Sequence, residues 1–319
     1  MIENTLHIVD GESTGGTIKV SGFARSKILT WADALYTGPV PAKLTLRQLS
    51  RVRSRFWTKG KSSTEFDLRD TELVKSPDYE HIVLWFGRQC VLCQLSLIQL
   101  LSWFCEHGVP AKRLSWTALH GGELRPDQIA AAYSSRRPIA TAQMLLAERA
   151  WRAFRQASPA SLIRLLKTDL SAIPGLREAL TRMLQEYPSK SNGLSRLEGL
   201  LLRQIRGRES VKAAVAVGSI IVREPWGDTL LFDMLRAFVK APYPLLEYAE
   251  PFGRDLESYQ FNASVLKLSE SGRRVLASKA DAVALNGVDR WVGGVRLKGR
   301  RVRWRWDQGA KGIVAAHKR

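Results

Sequence analysis

The alternation of apolar and polar positions changes character along the chain. Leu6-His7-Ile8-Val9 is a short apolar run that ends at Asp10-Gly11 and reads as a strand. Ser13-Thr14-Gly15-Gly16 reads as a turn, and Ile28-Leu29-Thr30-Trp31 as a second strand closed by Gly38-Pro39-Val40-Pro41. Residues 44–57 place Leu46, Leu49, Val52 and Phe56 at helical spacing, with Arg47, Arg51, Arg53 and Arg55 on the remaining, polar surface. A polar loop is expected over 59–63. Ile82-Val83-Leu84-Trp85-Phe86 is unbroken, as in a parallel strand covered on both faces. A long apolar helix follows over 90–106, stopped by His107-Gly108 and Pro110, and then a strand at Arg113-Leu114-Ser115-Trp116. Strand, helix and strand in this order predict an α/β layer with parallel pairing.

From Pro126 the spacing turns helical, with helices expected over 127–134, 141–156, 159–167 and 174–187, and a polar linker over 188–192. Beyond it, Leu197, Leu200, Leu201 and Ile205 make one stripe of a helix over 194–206. A second helix is expected over 229–239 with Asp228 as its N-cap. Leu245-Leu246-Glu247-Tyr248 and Val265-Leu266-Lys267-Leu268 read as strands, and 273–277 as a short helix. Helix, helix, strand, strand, short helix resembles a winged helix. A terminal hairpin is expected from strands over 292–297 and 301–306, with Lys298-Gly299-Arg300 as the turn. The pattern thus predicts an α/β N-terminal domain with parallel strands (1–125), a helical connector (126–190), and a winged-helix-like α+β C-terminal domain with a basic terminal hairpin (191–319).

Composition narrows the class. The 319 residues are 45% hydrophobic and 25% charged, which are globular values. No run of about 18 apolar residues occurs, which excludes an ordinary membrane-spanning helix, and Met1-Ile2-Glu3 does not open a signal peptide. Three cysteines form no disulfide scaffold and fit a reducing cytoplasm. Lys and Arg number 49 against 30 Asp and Glu, a formal charge of +19, so DNA or RNA is the default partner, the alternative being a surface that is simply Arg-rich.

Several fragments share an order. They are 6–13 (Leu-His-Ile-Val-Asp-Gly-Glu-Ser), Trp31-Ala32-Asp33, Gly38-Pro39-Val40-Pro41, Leu84-Trp85-Phe86, Gln94, Asn192-Gly193-Leu194-Ser195, Gly227-Asp228, and 286–291 (Asn-Gly-Val-Asp-Arg-Trp) with Gly293-Gly294. Taken together they resemble a bacterial family of uncharacterised proteins carrying domain of unknown function 1835, over nearly the whole chain. The resemblance implies no activity. Family members tend to have Glu-His-Asp after the Leu-Trp-Phe strand, where this chain has Gly87-Arg88-Gln89, and His-Glu before Gly-Pro-Val-Pro, where it has Tyr36-Thr37. The departures imply that this chain lacks the proton-transfer and metal-ligating groups such a site would use.

Candidate chemistry begins at the first strand. His7, Asp10 and Glu12 are residue types that bind a metal or transfer protons. The alternative is a packed His7 and a loop carboxylate. The loop Asp10-Gly11-Glu12-Ser13-Thr14-Gly15-Gly16-Thr17 could instead cradle the phosphate of a nucleotide with its backbone N–H groups, though it lacks a P-loop lysine. Cys90, Cys93, Cys105 and His107 do not suit zinc, because Cys90 and Cys105 on one helix stand about 22 Å apart. They are expected to be buried, structural thiols, and no metal is expected anywhere. His81, His120 and His317 have no evident partners in the sequence. Residues 290–319 hold ten Lys or Arg. Arg301, Arg303 and Arg305 alternate with Val302, Trp304 and Trp306, so Arg296, Lys298, Arg300, Arg301, Arg303 and Arg305 are candidate contacts of a phosphate-facing ribbon over a Trp-backed face; the alternative is a solvated face over a hydrophobic one. The leading expectation is a non-enzymatic, cytoplasmic binding protein that touches nucleic acid through its C-terminal half. The alternatives are an enzyme or sensor for a nucleotide or phosphorylated small molecule, and a protein-interaction scaffold.

Overall fold

The computed structural model describes residues 4–23, 25–60, 64–117, 125–222, 226–249 and 258–316. Residues 1–3, loop residues 61–63, His120 and the tail from His317 lie outside them. The chain divides into two units, Met1–Met183 with Trp291–Arg296, and Leu184–Arg290 with Leu297–Arg319. The helical stretch expected over 126–190 is therefore shared between them.

The first unit is an α/β layer. Its elements are β1 (Thr5–Val9), α1 (Glu12–Ile18), β2 (Lys27–Thr30), α2 (Leu46–Trp57), α3 (Glu65–Val74), β3 (His81–Trp85), α4 (Val91–Glu106) and β4 (Leu114–Thr117). The helical middle follows: α5 (Pro126–Ser134), the edge strand β5 (Arg137–Pro138), α6 (Thr141–Phe154), α7 (Ala160–Leu165) and α8 (Leu176–Leu184). The sheet order is β2-β1-β3-β4-β5, parallel except for β5. Every residue of β1 is buried, as in a central strand with both faces covered. α4 is apolar nearly all round and packs chiefly on α6, which explains its weak amphipathicity. Its buried amides are partly used: Trp31 Nε1 donates to Gln99 Oε1 at 2.9 Å, and Gln94 Nε2 donates to the Gly87 carbonyl at 3.0 Å, while Gln94 Oε1 has no described partner.

Two expectations fail in this unit. Ser13-Thr14-Gly15-Gly16 is not a turn but lies within α1. A Cβ on Gly15 would stand 3.3 Å from Ile28 Cγ2, so the glycine lets the helix sit close on the sheet. Arg53 does not share the solvent-facing surface of α2. Its side chain is 0% exposed and grips Asp33, itself 1% exposed, through Nε at 2.9 Å and Nη2 at 2.7 Å.

The second unit is the winged-helix-like domain. It contains α9 (Arg196–Ile205), β6 (Val211–Lys212), α10 (Ala213–Ile221), α11 (Asp228–Lys240), β7 (Leu246–Tyr248), α12 (Ser258–Ala263), β8 (Val265–Leu268), α13 (Glu270–Leu276) and α14 (Ala282–Asn286). β6, β8 and β7 form an antiparallel sheet in that order. A capping box between Ser195 and Glu198 starts α9. Gly227, not Asp228, is the N-cap of α11; Asp228 is the first helical residue and accepts from the Thr229 N–H at 2.6 Å.

The terminal strands pair differently from expectation. β9 (Val288–Val292) pairs with β10 (Val295–Gly299), and β11 (Trp304–Asp307) with β12 (Gly312–Ala315). The turn of the first pair is Gly293-Gly294, where Gly293 takes φ +58°, rather than Lys298-Gly299-Arg300. The terminal hairpin is β11–β12.

Beneath α9, Arg290 Nη2 meets Glu198 Oε1 at 2.6 Å, and Glu186 Oε1 accepts from the Leu197 N–H at 3.3 Å. Burial pushes the Glu186 carboxyl up to about 7, against the opposing pull of Ser195 and Arg290. The folded state therefore holds a proton that the unfolded chain releases near 4.5. Stability of the second unit should fall as pH rises from about 4.5 to 7, by up to about 3 kcal/mol. Urea unfolding across that range should show the decline, and Glu186→Gln should abolish it. A decline of the same size in the variant would assign the effect elsewhere.

Candidate functional site

In an open parallel sheet, ligand sites form beyond the carboxyl ends of the strands where the chain reverses its direction of winding. Here that point lies between β1 and β3, because β1 leads through α1 to β2 on one side and β3 leads through α4 to β4 on the other. The residues just past these two strands are Asp10 and the segment Gly87–Cys90.

His7 does not join them. It is 1% exposed and lies in an aromatic cluster, with ring centroids 5.1 Å from Phe23, 5.8 Å from Trp85 and 6.0 Å from Tyr133. Trp85 Nε1 donates to His7 Nδ1 at 3.0 Å, which fixes Nδ1 as the unprotonated nitrogen. Burial, and after it the charges of His81 and Arg136, pull His7 down to about 4. It is neutral near pH 7 and serves packing. Unfolding releases it to protonate near 6.5, so stability of the first unit should fall as pH drops from about 6.5 towards 4. Denaturation midpoints of His7→Gln, which keeps an acceptor but does not titrate, should lose that slope; an unchanged slope would clear His7 of the effect.

Asp10 points elsewhere. Its Oδ1 accepts from Thr14 Oγ1 at 2.7 Å and its Oδ2 from the Cys93 thiol at 3.3 Å. Glu12 and Ser13 are exposed on α1, and Gly11 is its N-cap, with no side-chain cap. The loop expected to cradle a phosphate is thus largely helix. Among the described residues no group of three or more His, Cys, Asp or Glu could hold a metal ion.

Cys90 is the N-cap of α4, and its sulfur accepts from the Cys93 N–H at 3.2 Å. All three cysteines are free thiols; Cys93 is buried as expected, while Cys90, at the cap of α4, and Cys105, near its far end, are against expectation only half-buried. The neighbouring Cys93 side chain, then backbone N–H groups of the first turn, lower the Cys90 thiol against the raising effects of burial and of the Asp10 carboxylate. The Cys90 side chain and burial raise Cys93. Arg88 and Gln89 are exposed, and Arg88 lies over Trp116 at 5.6 Å. The first unit also contains a cavity of about 1030 Å³, bordered by Arg47, Asp70, Gln99 and Arg155, which includes none of the expected site residues.

The second site is basic. Lys298, Arg300, Arg301 and Arg303 are exposed and have no acidic partner among the described residues. Arg296 is exposed in the part of β10 that belongs to the first unit, over Trp291 at 5.8 Å. Arg305 differs: it is half-buried and paired with Asp281 at 3.0 Å. Trp306 is buried and Trp304 half-buried, with Arg303 over the Trp304 ring at 4.7 Å. The strand edge is fastened to 188–190, where Trp306 N–H donates to the Pro188 carbonyl at 2.9 Å and Lys190 pairs with Asp307 at 2.9 Å. A smaller cavity of about 370 Å³ is bordered by Arg206, Arg208, Lys267 and Arg273. α11 is not basic: Asp228 and Asp233 are exposed on it, and Arg236 is paired with Asp233 at 2.8 Å. No helix among the described residues is long and apolar enough to cross a membrane.

No family model matches the chain, and no curated protein matches it. A crystal structure of the Plasmodium falciparum topoisomerase II DNA-binding, cleavage and re-ligation domain is similar at 12% identity and a TM-score of 0.48, covering 85% of this chain and 48% of that one. The chain spans about half the length of that structure, and a likeness this low assigns neither fold nor function.

Proposed function

We propose that the protein is a binding protein that holds the backbone of nucleic acid through the terminal ribbon of its second unit. One observation carries this reading: Lys298, Arg300, Arg301 and Arg303 present four exposed cations within six residues, none of them neutralised by a described carboxylate. Arg305 and Arg290 are the supports, each paired with an acid. Such contacts attract phosphate irrespective of sequence. α11, the helix a winged domain would insert into a groove, carries too little positive charge to lead. Fluorescence anisotropy of a labelled DNA duplex at rising salt tests the reading. The logarithm of the association constant should fall linearly with the logarithm of salt, by about 0.9 for each phosphate neutralised. No binding at low salt would dismiss it.

The resemblance to proteins carrying domain of unknown function 1835 and a cytoplasmic location remain part of this proposal, supported by the ordered sequence fragments and the free thiols. A second reading, docking of a protein partner on the winged-helix-like unit, is favoured by the exposed Val215, Ile221 and Val222 on and just past α10. A nucleotide-handling first unit has less support, because α1 takes up the loop that would cradle phosphate.

A further inference from the structure

We propose that Cys90 and Cys93 form a reversible dithiol–disulfide couple that exchanges with a disulfide substrate, with Cys90 as the attacking sulfur, Cys93 as the resolving sulfur and Asp10 as the base that takes the Cys93 proton. Three independent features meet there. The first is the spacing: Cys90-Val91-Leu92-Cys93 puts the two side chains three residues apart at the start of a 16-residue helix. Cys90 is the N-cap and Cys93 the third helical residue, so both side chains belong to the first turn. The second is the sulfur's own contact. Cys90 Sγ already turns over the first turn, 3.2 Å from the Cys93 backbone nitrogen, where N–H groups and the helix dipole favour a thiolate. The third comes from a different strand: Asp10, beyond β1, holds Oδ2 at 3.3 Å from the Cys93 sulfur. Both cysteines sit at the reversal point of the sheet. Cys90 is half-buried and the neighbouring Arg88 and Gln89 are exposed, whereas Cys93 is 2% exposed.

The thiol chemistry agrees with this division of labour. Cys90 is lowered and Cys93 raised, so the outer sulfur is the nucleophile and the inner one keeps its proton until a base takes it. Cys105, near the far end of α4, is raised by burial and by Glu148, and serves as an internal reference.

The exchange balances without a further oxidant. The Cys90 thiolate attacks one sulfur of the substrate disulfide, forming a mixed disulfide and expelling the first substrate sulfur as a thiolate. Cys93 then passes its proton to Asp10, attacks Cys90 Sγ and expels the second substrate sulfur as a thiolate. Asp10 returns the proton to solvent or to a departing sulfur. Two electrons pass from the two cysteine sulfurs to the substrate disulfide, which leaves as two thiolates and takes its protons from Asp10 and solvent.

The full-length protein, reduced and then equilibrated with glutathione and glutathione disulfide at a series of ratios, tests this. After acid quenching and alkylation, peptide mass mapping should find a Cys90–Cys93 disulfide that forms reversibly with the ratio, while Cys105 stays alkylatable. Cys93→Ser should stop at a glutathione adduct on Cys90. Asp10→Asn should form that adduct at the wild-type rate and resolve it at least about tenfold more slowly. Wild-type protein in which Cys90 and Cys93 remain alkylatable at every ratio, or oxidise only as Cys105 does, would overturn the couple. Unchanged resolution in a folded Asp10→Asn would remove Asp10 from it.

Discussion

Arg53→Ala should lower the unfolding free energy of the first unit by about 3–5 kcal/mol, because it strands a buried charge. The guanidinium supplies a two-point contact to Asp33, and also donates to the carbonyls of Thr37 and Ala34. Trp57 Nε1 adds a donor to Asp33 Oδ1 at 3.2 Å. Without Arg53 the buried carboxylate keeps one indole N–H among these partners. The surrounding turn is fitted to the guanidinium. Gly38 takes φ +74°, and a Cβ there would stand 2.7 Å from Arg53 Nη1. Arg53→Lys should recover little, since a single ammonium cannot match the fork. The double change Arg53→Met with Asp33→Leu should recover much of the loss, because it removes the burial of charge along with the pairing. Urea titrations of the singles and the double decide the matter. A single variant costing under about 1 kcal/mol would mean that water reaches the pair.

The elements that the apolar pattern made legible are those with uninterrupted runs. β1, β3, β4 and α4 fall within a few residues of expectation because both faces of each are covered, so that burial is written into every position. α1 was illegible because Gly15 and Gly16 disfavour helix locally, and only packing against Ile28 and Val9 favours it. Arg53 stood four residues from Leu49 and so on the buried stripe of α2, but its charge argued for solvent. Its partner lies 20 residues away, beyond any helical spacing. α10 was missed altogether: its Ala- and Val-rich run has little polar alternation to reveal a face. The basic ribbon was visible as charge, but its strand register was not, since Gly293-Gly294 and Lys298-Gly299 are equally good local turns. Cys-x-x-Cys before a helix could have been read as a thiol couple from spacing alone. Its carboxylate could not, because Asp10 is 83 residues from Cys93 and reaches it only through the pairing of β1 with β3.

Replacing Lys298, Arg300, Arg301 and Arg303 together by Ala should remove most of the affinity for duplex DNA. Each contacted phosphate contributes about 0.9 to the salt dependence, so the fourfold variant should lose up to about 3.6 from the slope. All four side chains are exposed, so the fold should tolerate their removal within about 0.5 kcal/mol for each site. Arg305→Ala is the opposite case. Its guanidinium is committed to Asp281 and to the Ser189 carbonyl, so the variant should lose stability and keep the slope. The most direct measurement is therefore the salt titration of one labelled duplex against wild type, the fourfold variant and Arg305→Ala. A slope that collapses in the fourfold variant and persists in Arg305→Ala is the predicted result. Equal slopes in wild type and the fourfold variant would contradict the assignment of the ribbon as the nucleic-acid contact.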